Sequence, residues 1–186
     1  MHRASQAVAV MAVATIGMTC AANAEEFDAK LSGFHELGAL NAETGAIFTG
    51  GTGTLTVTLD KKLQSANYTL TYNGLTSPVL QAHIHFGKEH VPGGIFAFLC
   101  TNLGNGPAGT PACPAGGGTV TGMLTPASIL AVTGQNIVAG DFNVLVNALE
   151  SDTAYGNVHT NNFKAGEIRG QLRERGKRNQ GNQGDQ

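Results

Sequence analysis

Hydrophobic and polar positions alternate along most of this chain. In "TGTLTVTLD" (Thr52 to Asp60), Leu55, Val57 and Leu59 share one face, while Thr54, Thr56 and Thr58 share the other. "NYTLTYNGL" (Asn67 to Leu75) repeats the pattern with Tyr68, Leu70 and Tyr72. Period-two alternation rich in Thr, Val and Tyr predicts half-buried antiparallel strands. Further strands are expected at Phe27–Glu36, Val79–Phe86, Ile95–Cys100, Gly118–Leu124, Ala154–Thr160 and Glu167–Arg173. One segment changes period. "DFNVLVNALES" sets Phe142, Leu145, Val146 and Leu149 on a helical stripe, and Asp141 is its natural N-cap. Thr125 followed by Pro126 opens a shorter helical turn towards Val132. The pattern therefore predicts an all-β sandwich or barrel with one or two short helices in its connections.

Composition narrows the class of partner. The chain has 186 residues, 11 Lys and Arg against 13 Asp and Glu, and a formal charge of -2. Nothing in that balance points to nucleic acid. Charged residues are only 13% of the chain, against a usual ~25%. The 26 glycines supply tight turns, and the absence of Trp argues against a stacked-indole carbohydrate platform.

The two ends read differently from the middle. Residues 1–24, "MHRASQAVAVMAVATIGMTCAANA", run from a basic start through an apolar stretch to Ala22-Asn23-Ala24. That order is expected of a secretory signal peptide cleaved after Ala24. It places the mature protein in the periplasm or outside the cell, with no transmembrane segment after cleavage. Residues 25–173 form the expected β domain. Residues 174–186, "ERGKRNQGNQGDQ", contain no aliphatic or aromatic residue and are expected to be a disordered polar tail. Cleavage would leave Cys100 and Cys113 as the only cysteines. They bracket a turn-rich loop, and an oxidising compartment would join them in a disulfide.

The candidate chemistry lies in "QAHIHFG", Gln81 to Gly87. On a strand, His83 and His85 point the same way, opposite Ala82, Ile84 and Phe86. The same alternation puts Tyr155, Asn157 and His159 on one face, opposite Gly156 and Val158. If Ile84, Phe86 and Val158 face the core and the strands are neighbours, three imidazoles converge on the outer sheet surface. Such a set suits zinc or copper and leaves an open coordination position. The other reading is architectural: His, Asn157 and Thr160 side chains satisfy neighbouring backbone groups and pin the register. His35, His90 and Asp152 are further ligand candidates. In "AGEIRGQL", Glu167, Arg169 and Gln171 share a face. Glu167, Arg169 and Asn157 could orient a ligand histidine, or the first two could form a cross-strand salt bridge. There is no Gly-x-Ser-x-Gly elbow, no free nucleophilic Cys and no phosphate-loop Lys.

Three stretches, "FDAKLSGFHELGALNAETGAIFTGGTGTLTVTLD", "AHIHFG" and "AYGNVHTNNFKAGEIRGQL", carry a resemblance to the CHRD (chordin-type) domain family of secreted bacterial proteins. It spans about Phe27 to Leu172. It implies an immunoglobulin-like Greek-key β-sandwich or barrel, distantly similar to copper/zinc superoxide dismutases, and a secreted binding or structural module with no assigned catalytic activity. An extracellular protein or polymer would be its partner. The alternative is an extracytoplasmic zinc- or copper-binding protein, with dismutase-like redox chemistry as its extreme form. "HIHFG" is similar to the dismutase ligand strand, although the remaining dismutase ligands cannot be traced. Two departures from the family pattern stand out. Gly156 takes the place of a bulkier apolar residue, which is expected to loosen its strand, and the Cys100–Cys113 loop reads as an insertion.

Overall fold

A computed structural model describes residues 24–37 and 45–176. The expected signal segment, apart from Ala24, and most of the expected tail therefore lie outside the described residues. The strands are β1 (Glu25–Ser32), β2 (Thr52–Asp60), β3 (Ser65–Asn73), β4 (Val79–Phe86), β5 (Gly94–Thr101), β6 (Gly118–Leu124), β7 (Ala154–Thr160), β8 (Ile168–Gln171) and β9 (Arg173–Glu174). They form one antiparallel sheet in the order β5-β4-β7-β8-β1-β2-β3-β6, with β9 continuing β8 along β1. The sheet curls into a nearly closed eight-stranded barrel. β2, β4, β6 and β7 keep the bounds that alternation predicts.

Three expected strands are shorter or shifted, each for a local reason. β1 ends at Ser32 because the chain turns into a 3-10 turn at Gly33–His35, where Gly33 O accepts the N–H groups of Glu36 and Ile47. β3 stops at Asn73, before Gly74 takes a φ of +67°. The last strand breaks at Leu172, whose N–H donates to Ala154 O. Glu174 and Arg175, assigned by composition to the tail, belong to the fold: β9 pairs with β1, and Arg175 forms ion pairs with Glu26 and Asp28.

Inside the barrel, alternation delivers the apolar set it promises. Phe27, Leu55, Leu70, Ile84, Val158 and Ile168 are fully buried in a single core. The helix α1 (Asn143–Glu150) adds Leu145, Ala148 and Leu149 to that core. Asp141 accepts the Asn143 N–H at its entry. The seam between β5 and β6, which do not pair, is bridged from several sides. Ala97 pairs with Ile129, Tyr68 Oη donates to Leu99 O, and Cys100 is joined to Cys113 with Cα atoms 5.0 Å apart.

Gly156 does not loosen β7. It is paired on both sides, to Ile84 and to Gly170. A Cβ there would come within 2.8 Å of Leu55 Cδ2, so the missing side chain makes room for Leu55 in the core.

Candidate metal centre

β4 and β7 are antiparallel neighbours, with His83 opposite Asn157 and His85 opposite Tyr155. That register gathers His83, His85 and His159 on the face turned away from the core. Their ring centroids are 4.9 Å (His83–His159), 5.6 Å (His83–His85) and 5.8 Å (His85–His159) apart. One nitrogen from each falls in a group whose members all lie within 4.8 Å of one another.

That outward face is not open to water. His83, His85 and His159 are 0%, 7% and 5% exposed, because other segments cover this side of the barrel. Residues 87–93 form one strap. Gly93 O accepts from His85 Nδ1 at 2.9 Å, Gly93 N–H donates to Tyr155 Oη, and Arg169 Nη2 donates to Lys88 O and Val91 O. Residues 161–166 form another, with Lys164 O accepting from His159 Nδ1 at 3.0 Å. Phe98 closes the side beyond His83, its ring edge-on at 4.4 Å.

These contacts fix the tautomers. A carbonyl can only accept, so Nδ1 of His85 and of His159 carries the proton and each Nε2 presents a lone pair. Neither Nε2 has a hydrogen-bond partner, and neither nitrogen of His83 has one. Burial holds all three imidazoles neutral. Desolvation, with the mutual repulsion of the rings, lowers His83 to about 2, and desolvation lowers His85 to about 4 and His159 below its ordinary value.

The remaining candidates separate. Arg169 reaches the cluster through Tyr155: its guanidinium carbon lies 3.4 Å from the Tyr155 ring centroid, and that ring stacks on His85 at 4.7 Å and 7°. Asn157 Nδ2 faces Glu36 Oε2 at 3.5 Å. Glu167 turns elsewhere: it is fully buried and accepts from Thr49 Oγ1, Thr76 N–H, Thr76 Oγ1 and Thr160 Oγ1. His35, His90 and Asp152 stand outside the histidine group. His35 meets Arg169 O, His90 is exposed beside Glu89, and Asp152 pairs with Arg173.

Sequence reading missed the contributions of Glu36 and Tyr155. Glu36 is 5% exposed, and desolvation raises its carboxyl to about 7 despite the attraction of Arg169. One signal for the buried face was present: β7, "AYGNVHT", contains no Lys, Arg, Asp or Glu, and all its residues are buried.

No curated protein and no solved structure matches this chain. The family model of the CHRD domain matches residues 27–172, which takes in most of β1, all of β2 to β8 and all three histidines. The chain belongs to the CHRD domain family.

Proposed function

We propose that this CHRD domain holds one transition-metal ion, copper or zinc, on His83, His85 and His159. One observation carries the reading: three buried imidazoles with unpartnered nitrogens bring one ring nitrogen each within 4.8 Å of the others. A buried polar atom without a partner costs about 1–3 kcal/mol, and native folds rarely leave several together. An ion among them supplies a partner for one nitrogen of each ring. Nitrogens sharing one zinc at ~2.0–2.1 Å stand ~3.4 Å apart, so a group already within 4.8 Å would draw together on binding. The carbonyls on His85 and His159 are the outer hydrogen bonds that hold ligand histidines in place.

Protein purified without chelator is expected to carry stoichiometric copper or zinc, and His85→Ala to lose it. Elemental analysis with a metal titration of both proteins checks this. A wild-type protein that takes up no more metal than the variant would refute the site.

The signal-like first 24 residues support an exported location, periplasmic or extracellular, where a metal-holding barrel would meet a protein or polymer partner. N-terminal sequencing of the exported protein should begin at Glu25. Retention of residues before Ala22 would exclude cleavage there.

A further inference from the structure

We propose that the histidine cluster selects monovalent copper over divalent ions. This rests on the metal-holding reading above and goes on to specify the ion. The case begins with the charges around the site. All donors in the group are neutral imidazoles, and no carboxylate or thiolate belongs to it. The charged side chain that reaches the cluster is a cation, Arg169, stacked on the ring that stacks on His85. Apolar and aromatic surfaces close the other sides, with Phe98 against His83 and Tyr155 against His85. A dication here would be buried with no carboxylate among its ligands, the buried Glu36 facing Asn157 instead.

The cost of burying an ion rises with the square of its charge, so a dication bears about four times the penalty of a monocation. Three-histidine zinc sites are workable because a water or hydroxide enters an open fourth position. Here the Nε2 atoms of His83, His85 and His159 are sealed from solvent. The strap that would have to open is tied down through Gly93, Lys88 and Val91. Copper(I) needs neither the fourth ligand nor the compensating anion, because it is stable with three nitrogen donors.

The test uses the metal-free mature protein under anaerobic conditions. Copper(I) is titrated in competition with a bicinchoninate chelator, zinc(II) against a chromogenic zinc dye, and copper(II) directly. Copper(I) is expected to bind stoichiometrically, at least about 100-fold tighter than zinc(II). Asn157→Asp, combined with Glu36→Gln so that two adjacent carboxyls do not share a proton, places a carboxyl opposite His83 on the neighbouring strand. It should narrow that ratio by about 10-fold or more. Zinc(II) or copper(II) binding as tightly as copper(I) would overturn the selectivity while leaving the metal-holding reading intact. Failure of all three ions to bind would overturn both.

Discussion

Acidification of the metal-free protein from pH 6.5 to 5 is expected to lower its stability, by about 1–2 kcal/mol per pH unit. The three cluster histidines are depressed in the folded state from an ordinary value of 6.5. Their contribution is therefore intact above pH 6.5 and is lost as the pH falls, because the unfolded chain takes up protons that the folded one refuses. Glu36 works in the opposite direction. Its folded value is raised from 4.5 to about 7, so its contribution is full below 4.5 and is lost as the pH rises through about 7. Between these limits three groups destabilise on acidification and one stabilises, for a net uptake on unfolding of about one proton that grows as the pH falls. Urea midpoints measured across the range with a chelator present provide the check. Glu36→Gln should steepen the slope by removing the opposing group. A flat profile between pH 6.5 and 5 would show that the imidazoles are not held neutral.

Glu167→Ala should cost about 3–5 kcal/mol, a large part of the ~5–15 kcal/mol that holds a domain folded. The side chain ties together three separate parts of the chain: the approach to β2 through Thr49, the turn after β3 through Thr76, and the end of β7 through Thr160. Truncation strands the Thr76 N–H and leaves a polar cavity. Glu167→Gln keeps the volume but turns an amide donor towards groups that also donate, so it should recover only part of the loss. Denaturant unfolding of the two variants measures both effects. A cost below about 1 kcal/mol for the alanine change would mean that water replaces the carboxyl without penalty.

Much of the barrel was legible because alternation is a local property. Leu55, Val57 and Leu59, or Tyr68, Leu70 and Tyr72, declare their face without reference to any other strand. The face shared by His83, His85 and His159 was legible for the same reason. Its burial was not. Period two distinguishes two sides of a strand, but whether the outer side meets water depends on what crosses it. Here residues 87–93 and 161–166 do so, held by Arg169, Tyr155 and backbone carbonyls that no spacing rule identifies. Glu167 shows the complementary limit. Its place on a face with Arg169 allowed a role near the histidines, whereas two of its threonine partners, Thr49 and Thr76, are far away in sequence, a fact of topology alone.

The path of β1 sets the order in which the molecule can be assembled. One edge of β1 pairs with β2, available early, but its other edge waits for Arg169, Arg173 and Glu174 near the chain's end. During synthesis, this strand stays open along one side until residues 169–174 have emerged. Closure demands contacts between segments at opposite ends of the barrel's sequence, which makes it slow and late compared with hairpin formation. Truncation ahead of residue 168 would leave a curled sheet with an exposed edge, ready to pair with another unfinished copy.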